Sequence, residues 1–195
     1  MRTPIVFIVF NRPDKARRVF SQIRDARPQR LFLIADGPRE SRPGELLKCL
    51  ESRSILNDID WDCELTIDFS DVNLGCRKRI TTGLDRVFAE VDEAIILEDD
   101  CLPDHSFFGF CEELLTRYRD DRRVFHIGGT NYLDRRIQER MAAASYYFSR
   151  YNHCWGWATW RRAWITRDSN MTYWPALRDR GGLVDILAGD DWAVS

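Results

Sequence analysis

The stretch Ala94–Phe108, AIILEDDCLPDHSFF, decides how the chain is read. Four apolar residues run directly into Glu98, Asp99 and Asp100, and Pro103 then breaks the run. A short apolar run bounded by turn signals reads as a buried strand, so three adjacent carboxylates stand where that strand ends. At about 6 Å separation and an effective dielectric of about 20, each ionised pair costs roughly 3 kcal/mol. Protonation, solvent, a basic neighbour or a bound cation must offset that repulsion.

The same grammar recurs upstream. Residues 4–10 are β-branched and aromatic and stop at Asn11-Arg12-Pro13, which predicts a buried strand and a loop. Ala16, Val19, Phe20 and Ile23 then recur on one helix face, with Asp14 as the expected N-cap. A second strand is expected at 31–35, closed by Asp36-Gly37-Pro38, then a helix over 44–56 and a third strand over 63–69. Asn73-Leu74-Gly75 reads as a turn. Ile80, Leu84, Val87 and Phe88 mark the helix that leads into the strand at 94–98, and a further helix is expected from Ser106. Alternating helices and continuous apolar strands predict an α/β fold with a largely parallel sheet. Ligands of such sheets bind beyond the carboxyl ends of the strands. Asn11, Asp36 and Asp99 all fall at expected carboxyl ends.

Two readings of the acids stand side by side. They form a solvated loop that caps the next helix, or they hold a hard cation. In an extended strand, residues 98 and 100 point one way and 99 the other. Mg²⁺ or Mn²⁺ is commonly held by one or two carboxylates completed by substrate phosphates. His105 reads as a surface or capping residue. Arg77, Lys78 and Arg79 open the preceding helix, an arrangement its macrodipole disfavours. A bound anion would relieve the conflict, and a solvated basic surface is the alternative.

Bulk properties narrow the field. The chain has 195 residues, 44% hydrophobic and 31% charged, with net charge −2, a composition suited to one globular domain. No global basic field exists to draw nucleic acid. Six widely spaced cysteines without a CxxC pair predict reduced, mostly buried thiols in a cytoplasmic protein. The longest early apolar run, Ile5–Phe10, is too short for a membrane span. From residue 145 to 174 the character changes, with five of the seven tryptophans in that segment. No linker separates the halves, so one domain of two lobes, 1–125 and 126–195, is expected.

Taken in order, IVFIVFNRP (5–13), LFLIADGP (31–38), NLGCRKRITTGLDRVF (73–88) and IILEDDCLPDHSFF (95–108) resemble GT-A glycosyltransferases. The resemblance is nearest to the N-acetylglucosaminyltransferase I type, whose DxD motif takes an EDD form. HCWGWATWRRAW (153–164) is similar to bacterial nucleotide-diphospho-sugar transferases. The resemblance implies a GT-A, Rossmann-like sheet with a nucleotide-sugar-binding half at 1–125 and a Trp-rich acceptor-side half at 126–195. It implies transfer of a sugar from a nucleotide-sugar, a UDP-sugar favoured, to a hydroxyl of a glycan, lipid-linked or protein acceptor, with inversion. It further implies Asn11, Arg12 and Asp36 at the nucleoside, and Arg77 and Lys78 or Arg79 at the diphosphate. Asp99 would meet the sugar nucleotide, Asp100 would ligate Mn²⁺ (or Mg²⁺), and Glu98 would lie near the donor sugar. Charge developing on the leaving phosphate needs a cationic clamp, and the acceptor hydroxyl needs a base.

For that base the sequence offers Asp190 and Asp191 in GDDWAVS (189–195), close to the end of the chain. They are equally read as a surface helix start, and the abrupt ending suggests C-terminal truncation. Trp155 and Trp157 are read either as core or as sugar-stacking faces beside the small Gly156 and Ala158. His153 is read as a packed histidine or as an extra metal ligand, and Gly128–Asn131 as a loop crossing the sheet edge. Two rival functions remain: a metal-dependent nucleotidyltransferase or phosphohydrolase, and a catalytically incomplete nucleotide-sugar-binding module.

Overall fold

A computed structural model of the chain describes residues 1–140 and 144–182. The chain divides into two compact units, Met1–Trp164 and Ile165–Ser195. The first unit is built on a six-stranded sheet: β1 Ile5–Val9, β2 Arg30–Ala35, β3 Glu64–Phe69, β4 Glu93–Glu98, β5 Ile127–Gly128 and β6 Trp157–Trp160. Their spatial order is β3-β2-β1-β4-β6-β5. β1 pairs in parallel with both β2 and β4, and β2 with β3. β6 runs antiparallel to β4 and β5. The expected α/β class and mostly parallel sheet are what the chain forms.

Alternation along the strands divides the core in two. Ile5, Phe7, Leu31, Leu33, Ile95 and Leu97 face α1 (Pro13–Ala26) and α4 (Ser106–Arg117). Val6, Ile8, Phe32, Ile34 and Ile96 face α3 (Cys76–Glu90), which buries Leu84, Val87 and Phe88. Both faces are covered, which is why these strands read as unbroken apolar runs. α1 begins one residue earlier than expected. Pro13 takes its first position, where a missing N–H costs nothing, so Asp14 lies inside the first turn and Arg12 precedes it. The expected helix over 44–56 resolves into α2 (Glu45–Arg53) and a 3₁₀ turn, Ser54–Asp58.

The tryptophan-rich segment forms β6 and α6 (Arg161–Trp164). Trp160 is 1% exposed, and its Nε1–H donates to the Leu115 carbonyl at 3.1 Å. Trp157 faces the opposite way and packs with Trp164 against the α3 side. Gly128 belongs to β5 and pairs with Trp157, so this glycine lies in a strand where a loop was expected. A Cβ on Gly129 would stand 2.5 Å from the Phe107 ring and 3.0 Å from the Gly156 carbonyl. Only glycine allows that approach. A short helix, α5 (Arg135–Arg140), follows. In the second unit, α7 (Trp174–Asp179) follows a turn in which Asp168 accepts from Asn170 N, Thr172 Oγ1 and Tyr173 N.

All six cysteines are free thiols. Cys49, Cys101 and Cys111 are buried, Cys63 is half-buried, and Cys76 and Cys154 are exposed, so burial is less general than expected. Among the described residues no helix is long and apolar enough to cross a membrane. Trp160→Ala removes a fully buried ring and orphans the Leu115 carbonyl. The expected loss is about 3–5 kcal/mol, read as a lowered urea midpoint with an unchanged slope.

Candidate functional site

Strand order sets the site. From β1 the chain steps outward to β2 and β3, and α3 then carries it back across to β4 on the other side of β1. This reversal between β1 and β4 opens a crevice at their carboxyl ends, the place where open α/β sheets bind ligands. Arg12, just past β1, meets the acids just past β4 there. Its Nη2 lies 2.6 Å from Asp99 Oδ1 and its Nη1 lies 2.6 Å from Asp100 Oδ2. Phe10 N–H donates to Asp99 Oδ2 at 3.1 Å.

The two aspartates therefore differ. Asp99 is 2% exposed and turned inward, tying the β1 exit to β4. Asp100 is half-buried, and its side chain is 25% exposed. Burial pushes the Asp99 carboxyl upward against the pull of Arg12 and the Phe10 amide. Burial also raises Glu98, reinforced by the charges of Asp100 and Asp99. Asp99 Oδ1 is held by ion pairing without an aligned hydrogen bond, and the Glu98 side chain has no partner among the described residues. The repulsion noted in the sequence is thus offset in part by one guanidinium.

Asp36 is placed at the end of β2 and is only 6% exposed. Its Oδ1 accepts from Gly37 N and Leu74 N at 3.0 and 2.9 Å. Its Oδ2 accepts from Gly75 N and Asn73 Nδ2 at 2.9 and 3.1 Å. A carboxylate offers about four acceptor sites, so this one is filled. It clamps the Asn73–Gly75 loop. Arg53 Nη2 donates to the Asp36 and Ser70 carbonyls at 3.0 and 2.6 Å, tying β2 to β3. Asn11 is likewise engaged, through Nδ2 to Glu45 Oε1 at 2.8 Å.

The clamped loop delivers the N-terminus of α3 to the same edge. Gly75 precedes that helix at φ 78°, and no side chain caps it. Its first amides are therefore open to an anion. Arg77 and Lys78 are exposed there, with no side-chain partner among the described residues. Arg79 is 3% exposed and ion-paired with Asp68 at 2.8 Å, so it belongs to the fold and cannot face a diphosphate. His105 makes no capping hydrogen bond. Asp104 performs that task through Ser106 N and Oγ.

Whether the acids suit a divalent metal can be judged from their chemistry. Asp100 and Glu98 are hard oxygen donors in partial burial, with a deficit of positive charge. That fits Mg²⁺ or Mn²⁺. Among the described residues no three His, Cys, Asp or Glu side chains form a ready-made cage. A metal at Asp100 would share its carboxylate with Arg12 and draw further ligands from outside the protein.

Next to this edge lies a cavity of about 1090 Å³. Its wall includes Leu97 just before the acids and Cys101–Asp104 just after them, with Phe107, Gly129, Tyr146, His153 and Trp155. Trp155 is 54% exposed and lines it, whereas Trp157 stacks on His126 at 5.1 Å and is turned into the fold. His153 packs edge-on to Tyr132 at 4.7 Å, and its carbonyl accepts from His126 Nε2. Asp190 and Asp191 lie outside the described residues.

The sequence reading does not single out Glu45 or Arg39. Glu45 is 5% exposed and accepts from Asn11, from the Arg39 amide at 2.7 Å and from the Arg39 guanidinium. A buried acid opening a helix is visible only once its partners are placed.

Comparison with known proteins bears on the fold. No protein-family model and no curated protein matches the chain. Among solved structures, a mannosyltransferase from Pyrobaculum calidifontis in complex with GDP-Man and Mn²⁺ is similar, with TM-score 0.54 and 16% identity. That match covers 83% of this chain and 46% of the mannosyltransferase, so this chain spans less than half of its length. A 4-diphosphocytidyl-2C-methyl-D-erythritol synthase from Anaerococcus prevotii matches at TM-score 0.47 and 9% identity, over 88% of this chain and 83% of that one. The galactosyltransferase LgtC, in complex with donor and acceptor sugar analogues, matches at TM-score 0.47 and 16% identity, over 96% and 70%. The likeness to the mannosyltransferase is one of fold alone, an α/β sheet of the GT-A kind. Chemistry has to be argued from the site.

The Arg39–Glu45–Asn11 unit has a pH signature. Hydrogen bonds from Arg39 hold the Glu45 carboxyl down at about 2, below its unfolded value of about 4.3. Its contribution to stability is complete above pH ~4.3 and is lost as pH falls toward 2, since the unfolded chain there binds more protons. Glu45→Gln is expected to flatten that part of the acid-unfolding profile, followed by circular dichroism.

Proposed function

We propose that this chain is the donor-binding part of a metal-dependent glycosyltransferase acting on a nucleotide-diphospho-sugar. The reading is carried by one observation. The strand reversal brings Arg12, Asp99 and Asp100 together beside the uncapped start of α3. Arg12, Arg77, Lys78 and the first α3 amides supply positive potential for a diphosphate. Asp100, with Glu98 beside it, supplies hard oxygens for a divalent ion. Asp99 is then a positioning residue that holds Arg12 in place from within. Asp36 and Asn11 act in the same indirect way, through the Asn73–Gly75 loop and through Glu45.

The reaction joins an acceptor hydroxyl oxygen to the anomeric carbon and releases the nucleoside diphosphate. When bound, a divalent ion supplies charge neutralisation at the leaving phosphate. Arg12 and the basic start of α3 hold the diphosphate, and the adjoining cavity, with Trp155 in its wall, receives the acceptor and keeps bulk water from competing. The acceptor proton goes to a base for which Asp190 and Asp191 are the candidates, and a base on the face opposite the leaving group gives inversion. A UDP-sugar remains the favoured donor on the sequence resemblance.

Calorimetry of the full chain against a panel of nucleotide-sugars, with Mn²⁺ or with chelator, tests the reading. At least one donor should bind in a metal-dependent manner, and Asp100→Ala should weaken that binding by tenfold or more. Equal binding with and without metal, or in wild type and variant, would sink it. Release of pyrophosphate in place of a nucleoside diphosphate would turn the assignment toward nucleotidyl transfer.

A further inference from the structure

The cavity beside the acids collects apolar side chains that a protein surface does not usually leave open. Leu102, Phe125, Phe148, Tyr151 and Trp155 are between 41% and 68% exposed, and all five line this space of about 1090 Å³. Exposed apolar groups gathered in one concavity mark a binding site. The floor is apolar as well. Phe107, Phe110, Leu114 and Tyr118 recur along one face of α4 and its C-terminal cap, and each lines the cavity. From Phe107 to Tyr118 the helix rises about 16 Å. The cavity is therefore a slot: one end lies at Leu97 and Cys101–Asp104, around the acids, and the other reaches Tyr118 and Tyr146.

Polar groups in the wall are largely engaged with one another. The hydroxyls of Tyr118 and Tyr146 lie 2.6 Å apart. Thr130 Oγ1 donates to the Trp155 carbonyl at 3.0 Å, and Ser149 Oγ accepts from Tyr151 N at 3.0 Å. Asn131 Oδ1 accepts from Leu133 N at 2.9 Å, and His126 Nε2 lies 3.0 Å from the His153 carbonyl. The charged lining groups are engaged too: Asp104 with Ser106, Arg123 with Asp121, and Arg150 is not free. A saccharide would need open hydroxyls, amides or charges to replace the water its own hydroxyls give up. This wall offers ring faces and aliphatic groups instead, which gain from an apolar partner.

From this we infer that the slot takes an extended apolar chain, and that the acceptor is an amphiphile. Its hydroxyl-bearing head lies at the acids, and its alkyl or prenyl tail runs along α4 toward Tyr118 and Tyr146. The word acceptor rests on the transferase reading, while the slot and its apolar wall stand apart from the donor site.

The test is calorimetry of the full chain against n-alkyl β-glucosides from butyl to decyl, each kept below its micelle concentration. Affinity should rise roughly fourfold for each added methylene, since burying one is worth about that factor. Phe148 packs on Tyr118 and Tyr146 at the far end of the slot and is 68% exposed, so Phe148→Ser spares the core. That variant should bind octyl and decyl glucoside fivefold or more weakly and butyl glucoside as before. Affinity independent of chain length overturns the inference. So does a Phe148→Ser variant that binds the whole series as the wild type does, or uptake that never saturates, which is detergent adsorption only. Glucose that binds as tightly as its decyl glycoside would make this a saccharide site and overturn it too. Nucleotide-sugar binding is measured on the same samples. If it is absent while the chain-length dependence persists, the apolar slot holds and the transferase reading fails. If the nucleotide-sugar binds and the dependence is absent, the reverse applies.

Discussion

A buried carboxylate between the carboxyl ends of two parallel strands is the constraint on which the site depends. Asp99 is almost wholly excluded from solvent, and an isolated charge in that position would be costly. Its cost is met by the Phe10 amide and by Arg12, both from the exit of β1. Removing either partner would leave an uncompensated buried charge, a worse situation than never having formed the pair. The pairing therefore fixes where the β1 loop goes, and with it the position of Arg12 over Asp100. Such a contact is available because β1 and β4 are parallel neighbours whose carboxyl ends lie side by side.

Most acids at this edge serve the backbone. Asp36 collects three main-chain amides and the Asn73 side chain, Glu45 holds Arg39 and Asn11, and Asp104 starts α4. Loops leaving parallel strands present amides that no ladder satisfies, and a buried carboxylate can satisfy several at once. Rigid loops follow, and rigid loops make a preorganised crevice. What remains outward-facing is sparse: Glu98, one side of Asp100, part of Arg12, Arg77 and Lys78. The ligand-facing set is smaller than the set of acids and bases that the motifs contain.

Beyond β4 the surroundings change from acidic to largely aromatic. β6 returns antiparallel along β4, so the tryptophan-rich segment lies beside the strand that ends in the acids. The turn that carries Trp155 and Gly156 thereby reaches the cavity wall, while Trp160 is consumed in the core. Within β6, Trp157 and Trp160, three positions apart, meet different surroundings on opposite faces of the sheet. Strand alternation is the reason, since neighbouring positions point to opposite faces.

The alternating apolar runs and breakers determined the α/β class, the parallel core strands and the placement of Asn11, Asp36 and Asp99 at carboxyl ends, because periodicity and turn chemistry are local properties. The motif order likewise marked Glu98–Asp100 as a charged cluster in need of a counter-charge. Tertiary structure alone decided which charges meet. Arg12 and Asp99 are far apart in the chain and come together through strand order. Asp36 reads as a free acid until the loop at Asn73–Gly75 folds onto it. Arg79 is indistinguishable from Arg77 in sequence, yet one turns to Asp68 and the interior while the other stays in solvent. Local pattern settles what an element is. The partner a side chain finds depends on contacts between distant segments, and no spacing along the chain encodes them.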